Sequence, residues 1–156
     1  MKEQEKEVLR KIYLACKYEF EVADSLQSTR KREAVQARQL TIYVAKKHKW
    51  LKELSLNEIG KGLAELLGRK EPFDHATVIH AYKTVNTYLN TNDVLSREFQ
   101  QKTLNVINHC ERGRILQGRT FESLKKKLRV LQERIVIAQN KRFHSHLRSN
   151  HLRIRL

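Results

Sequence analysis

The sequence predicts an all-α protein in which a compact helical domain is followed by a basic helical extension. Only five glycines and one proline occur among the 156 residues, so few points force a helix to break. Apolar residues recur at helical spacing, and β-branched residues never alternate with polar ones over the length of a strand. With 40% hydrophobic residues, a chain of this length can bury a core.

Three helices are predicted in the first third of the chain. The first covers about residues 4–19, a short one follows near residues 21–27, and the third covers about residues 33–49. In the first helix, apolar residues at i, i+4, i+7 and i+8 form one face, as burial of a single stripe requires. These residues are Val8, Ile12, Ala15 and Cys16.

Two further helices, joined by a glycine-containing connection, follow in the middle of the chain. Ser55 and Glu58 have the spacing of a capping box, which starts a helix that runs through residue 67 and ends at Gly68. Asp74 then opens a helix that runs to about Leu89. A capped helix, a turn and a second helix with a polar N-terminus form a helix-turn-helix pattern, whose second helix can enter the major groove of DNA.

The remaining residues divide into an extension at 93–140 and a basic arm at 141–156, after a domain at 1–92. The extension begins with a helix over about residues 94–109, and we expect the arm to be disordered or fraying. Beyond a break at Gly113–Gly118, apolar residues recur at steps of three and four, as in a heptad seam. Two interpretations stay open: the seam joins two chains in a homodimer, or it packs back on its own domain. Its residues are Phe121, Leu124, Leu128, Leu131 and Ile135.

The formal net charge is +15, and it is distributed unevenly. Residues 1–92 hold 17 basic and 12 acidic side chains, whereas residues 93–156 hold 15 basic and 5 acidic ones. This balance favours a polyanionic partner such as DNA, RNA or an anionic membrane surface. The sequence has neither an apolar run long enough to span a membrane nor the apolar stretch of a signal peptide, so we expect a cytoplasmic, nucleoid-associated protein.

Four segments, in order, resemble the C-terminal DNA-binding domain of the bacterial replication initiator DnaA. They are VADSLQSTRKR at residues 22–32, ARQLTIYVA at 37–45, SLNEIG at 55–60 and DHATVIHA at 74–81. The resemblance covers about residues 7–90. It implies a helix-turn-helix domain of the Trp-repressor-like type that binds double-stranded DNA at DnaA boxes.

The resemblance also implies DNA contacts at the positions that match the family's motifs. In the basic loop, Arg30 matches an arginine that lies in the minor groove, and Arg32 follows it. At the start of the recognition helix, Asp74, His75 and Thr77 match residues that meet bases and backbone in the major groove, although Asp74 is equally suited to cap the helix. The positions that match phosphate contacts or lie near the backbone are Gln39, Lys46 and His80.

The sequence departs from the family's pattern around the second helix. The family has a basic residue where Phe73 stands and a hydroxyl residue where Ala76 stands. The segment 61–73 has thirteen residues, about twice what the family uses. We hypothesise that Arg69 or Lys70 in this longer connection binds the phosphate that Phe73, which has no charge, does not bind.

These features predict a sequence-specific double-stranded DNA-binding protein that regulates replication initiation or transcription, in a bacterium, a phage or a mobile element. The chain has no nucleotide-binding loop, so we expect a free-standing domain without the ATPase module of DnaA. It also has no catalytic constellation, so we expect no enzyme activity, cofactor, metal or membrane partner. Two alternatives stay open: a basic structural or RNA-binding protein that reuses the fold, and a DNA-binding accessory of a mobile-element enzyme.

Overall fold

The computed structural model describes the backbone of residues 1–26, 28–112 and 119–153, and the side chains of residues 1–25, 28–112 and 122–141. These residues form six α-helices and no strand, which confirms the all-α prediction. A short 3-10 helix, Asp24–Leu26, lies between the first two α-helices. The helices are α1 Glu3–Glu19, α2 Arg32–Lys47, α3 Leu56–Leu66, α4 His75–Tyr88, α5 Val94–Arg112 and α6 Arg119–Arg153.

Helix α2 lies at the centre and packs against α1, α3 and α4. It can do so because small and apolar side chains occupy most of its circumference, and nine of its residues are buried. Its Leu40 and Val44 are fully buried, as are Leu9 and Ile12 of α1. The four helices therefore share one hydrophobic core, and none of the described helices is both long and apolar enough to cross a membrane.

Helices α3 and α4 approach each other closely because α3 presents a glycine at the contact. A Cβ added at Gly60 would lie 2.5 Å from Cγ2 of Val78, which is fully buried on α4. The connection that follows α3 turns at Gly68, whose φ of +63° lies in the left-handed region that glycine adopts without strain. The predicted capping box is present, since the Ser55 hydroxyl accepts a hydrogen bond from the Glu58 backbone N–H.

Helix α5 packs on the same core. The ring centroids of its Phe99 and of Tyr88 lie 4.8 Å apart, and Phe99 is almost fully buried. The side-chain amide of Gln100 donates to the carbonyls of Tyr88 at 2.9 Å and Thr91 at 2.8 Å, so α5 satisfies backbone acceptors at the end of α4. Leu95, in the first turn of α5, is 52% exposed and lies outside the core. The domain boundary near residue 92 stays a prediction.

Helix α6 packs on α5 through its N-terminal part. Leu128 is fully buried and Leu124 packs against the core, while Lys125 forms an ion pair of 2.6 Å with Glu111 of α5. Nothing in the structure supports a homodimer, because two seam residues are already used within the chain. Leu131 and Ile135 are half-buried, and the side chain of Phe121 lies outside the described residues.

The expectation of a disordered or fraying arm was wrong for residues 141–153. Helix α6 continues through Arg153. No glycine or proline occurs between residues 119 and 153, so no residue type forces the helix to end there. The end of the extension and residues 141–153 of the arm therefore form one helix, α6, of 35 residues.

Candidate nucleic-acid interface

A groove of about 600 Å³ lies between the loop before α2, the side of α2 and the N-terminal turn of α4. The loop contributes Ser28, and the connection before α4 contributes Phe73. Residues from four separate segments of the sequence therefore face one concave surface. Six of the ten predicted DNA contacts line it: Arg30, Gln39, Arg69, Asp74, Thr77 and His80.

Asp74 caps α4 and still keeps a carboxylate oxygen for another partner. Its Oδ2 accepts hydrogen bonds from the backbone N–H of Ala76 at 3.0 Å and of Thr77 at 3.3 Å. Among the described residues Oδ1 accepts none, so the capping role and a DNA-contact role are compatible. The N-terminal end of a helix also carries a partial positive charge, which suits an approaching phosphate.

The basic loop is held by Arg38, which was not among the predicted functional residues. Arg38 of α2 is only 9% exposed, and its guanidinium Nη2 donates to the carbonyl of Thr29 at 2.7 Å. Burial lowers the pKa of Arg38, and the nearby charge of Arg69 lowers it further, yet a guanidinium stays protonated at neutral pH. Arg38 therefore anchors Thr29. The side chain of the next residue, Arg30, is exposed. The only sequence signal for this role was the position of Arg38 in the segment ARQLTIYVA.

The connection before α4 places a cation next to an aromatic ring. The guanidinium carbon of Arg69 lies 4.4 Å from the ring centroid of Phe73, within the range of a cation–π contact. Its Nε donates to the carbonyl of Glu71 at 3.4 Å. Lys70 is exposed and lines a neighbouring cleft with Ser28.

Four predicted contacts do not line this groove. Lys46, near the C-terminal end of α2, donates to the carbonyls of Lys52 and Leu54 at 2.6 Å each, so its ammonium group holds the turn before α3. Arg32 is exposed at the start of α2, and His75 is exposed in the first turn of α4. Lys70 lies at the edge, in the neighbouring cleft.

A capping box satisfies polar groups at the start of α3, the first helix of the pair. The Glu58 carboxylate accepts from the Ser55 backbone N–H at 2.7 Å and from the Ser55 hydroxyl at 2.8 Å. These hydrogen bonds, the backbone one first, lower the pKa of Glu58. The result is a capped helix, a turn and a second capped helix whose first turn lies beside a basic loop. This arrangement defines the helix-turn-helix class of DNA-binding domains.

Comparison with known proteins identifies the family within this class. Residues 12–85 match the sequence model of a family described as the bacterial dnaA protein helix-turn-helix. Residues 12–85, somewhat under half of the chain, therefore form a helix-turn-helix domain similar to the DNA-binding one of bacterial DnaA proteins. All of α5 and all of α6 follow the matched region.

Three curated relatives are chromosomal replication initiator proteins DnaA. The one from Bacteroides thetaiotaomicron is 38% identical over 89 residues, which are 56% of this chain and 17% of the relative. The one from Bacteroides fragilis is 46% identical over 47% of this chain and 14% of the relative. The one from Flavobacterium psychrophilum is 45% identical over 42% of this chain and 12% of the relative. The chain thus matches less than a fifth of each relative, and no solved structure matches it significantly.

Proposed function

We propose that this protein binds duplex DNA sequence-specifically, at sites similar to DnaA boxes. Helix α4 enters the major groove with its first turn, and the basic loop enters the adjacent minor groove. The observation that carries the proposal is the shared groove, since it places Arg30 of the loop beside Asp74 and Thr77 of α4. One bound duplex can therefore meet both elements at once.

The side chains at this groove suit the reading of base edges. A carboxylate such as that of Asp74 accepts from the N4 amino group of cytosine, and the methyl group of Thr77 can contact the methyl group of thymine. An arginine such as Arg30 is attracted into a narrow minor groove by its negative potential. These three residues are the ones that we expect to select the DNA sequence.

The other predicted residues would position the domain on the phosphate backbone. Arg69, stacked on Phe73, takes the place of the family's basic residue before the Asp-His pair, and Lys70 lies next to it. Two donors of Lys46 hold backbone carbonyls, which leaves one of the three ammonium hydrogens for a phosphate. Further backbone contacts are assigned to Arg32, Gln39, His75 and His80.

The biological role that follows is occupancy of such boxes, as a regulator of replication initiation or of transcription. The named relatives are replication initiators. A protein that acts on chromosomal boxes works at the nucleoid, in the cytoplasm. The proposal includes no ATP-driven step, because the sequence has no phosphate-binding loop of the G-x-x-x-x-G-K-[ST] type.

A binding comparison tests the proposal. The full chain is titrated against a DnaA-box duplex, a scrambled duplex of equal length and a structured RNA, across a salt series. We expect a box-to-scrambled affinity ratio on the order of 10³ or more. Equal affinity for all three would contradict the proposal and favour a basic structural or RNA-binding role.

A matched pair of variants then tests the groove. Arg30→Ala should weaken box binding by about 1–3 kcal/mol and relax specificity. Arg10→Ala is the control, because Arg10 is exposed on α1, is paired with Glu7 at 2.9 Å and does not line the groove. Equal effects of the two variants would exclude the loop from recognition.

A further inference from the structure

Helix α6 leaves the body of the protein after its first turns. Near its N-terminal end it is held by buried Leu128, by the pairing of Lys125 with Glu111 and by a hydrogen bond from Lys127 to the side chain of Asn90. A last contact joins the amides of Gln132 and Gln101. From residue 133 to residue 141 every side chain except that of Ile135 is exposed. This part of the helix is therefore open to a partner.

Exposed cations are concentrated on α6 from residue 126 onward. Residues 126–141 contain five cations and one acid, Glu133. None of these six side chains forms an ion pair within the described part of the chain. Lys127, Arg134 and Lys141 recur every seven residues, so they lie along nearly one side of the helix, about 10 Å apart. We call residues 126–141 the α6 basic segment.

We propose that the α6 basic segment is a second duplex-DNA surface, which binds phosphates outside the site read by α4. This inference rests on the proposed function, which makes duplex DNA the partner of the protein. The N-terminal end of the segment lies beside Asn90, beyond the C-terminal end of α4, because Lys127 donates to the Asn90 side chain. The 14 residues of α4 separate its two ends by about 21 Å. The segment therefore binds DNA phosphates other than those that the groove contacts.

The chemistry of the segment favours DNA over other occupants. A membrane-surface helix needs a free apolar face, but the seam of α6 packs on the chain's own core through Leu124 and Leu128. The exposed Val136 and Ile137 lie about 100° apart around the helix. A second copy of α6 would bring two strongly positive segments together, which repel each other. Lysine and arginine at several positions along one helix suit the regular charges of a phosphate backbone.

The test compares two triple variants of the full chain that remove the same charge. K127Q/R134Q/K141Q neutralises the three cations along one side of the α6 basic segment, and K2Q/K11Q/K52Q neutralises exposed cations elsewhere. Each variant is titrated against the scrambled duplex and the box duplex at several salt concentrations. Circular dichroism confirms that both keep their helix content.

For the α6 variant we expect the slope of log affinity against log salt to fall by about 2.7, since each phosphate contact contributes about 0.9. Affinity for the scrambled duplex should fall at least roughly tenfold at low salt, and the box-to-scrambled ratio should not change. The slope of the control variant should stay within about 0.9 of the wild-type slope, which corresponds to one phosphate contact.

Equal slopes for the two variants would overturn the proposal. So would a loss of binding to phosphatidylserine-containing vesicles while the DNA slope stays that of the wild type. The slope on the scrambled duplex decides the role of α6 even if the wild type shows no preference for the box. A missing preference would contradict the proposed function alone.

Discussion

Replacement of Asp74 separates two roles that one carboxylate can perform. Asp74→Ala removes the acceptor for the backbone N–H groups of Ala76 and Thr77, which now lie at 3.0 and 3.3 Å from Oδ2. Loss of an N-cap acceptor costs about 1 kcal/mol, and loss of a negative charge at a helix N-terminus adds about 0.3–1 kcal/mol. We therefore expect the free energy of unfolding to fall by about 1–2 kcal/mol.

Asp74→Ser provides the contrast, because serine keeps a capping oxygen but has no carboxylate. Stability should return to within about 0.3–1 kcal/mol of the wild type, the share of the missing charge, whereas discrimination of the cytosine contact should stay reduced by about 1–3 kcal/mol. Urea denaturation followed by circular dichroism gives the stability, and titration of the box and a single-base variant gives the discrimination. If Asp74→Ser discriminates as well as the wild type, Asp74 acts only as a cap and the reasoning is refuted.

Three further substitutions test how the site is held. Arg38→Met should weaken box binding by about 1.5–3 kcal/mol in a titration, because the variant cannot form the charge-assisted bond to Thr29; unchanged binding would show that the loop needs no anchor. Gly60→Ala should lower the free energy of unfolding by about 1–3 kcal/mol in urea, because its Cβ would meet Val78 at 2.5 Å; wild-type stability would mean that α3 and α4 separate freely. Lys46→Met should cost about 1–2 kcal/mol of stability, because two carbonyls lose their donor; a reduced salt slope at full stability would instead make Lys46 a phosphate contact.

Much of the helix arrangement could be predicted from the sequence, because its signals are local. The capping box at Ser55, the cap at Asp74 and the left-handed turn at Gly68 each depend on residues within one turn of the chain. Apolar periodicity identified α1, where Val8 and Ile12 are buried as predicted. These patterns are reliable because a helix places i, i+3 and i+4 on one face regardless of what covers that face.

The features that could not be predicted depend on which partner covers a face. A heptad-like seam has the same pattern whether it packs on a second chain or on its own, and Leu128 packs on its own core. Arg38 and Lys46 have charges that suit phosphate, yet both donate to backbone carbonyls of loops outside their own helix. Residue type alone does not reveal such bonds, because a buried cation is held by acceptors that only the folded chain brings near it.

Chemical-shift mapping tests the central claim most directly. Isotopically labelled full-length protein is titrated with the box duplex, and the perturbed backbone amides are located on the structure. The groove predicts that the box duplex produces its largest chemical-shift changes in residues 28–39 and 69–81. The scrambled duplex should perturb the same residues only weakly. Perturbations that avoid both ranges, or that are identical for the two duplexes, would contradict sequence-specific recognition through the helix-turn-helix.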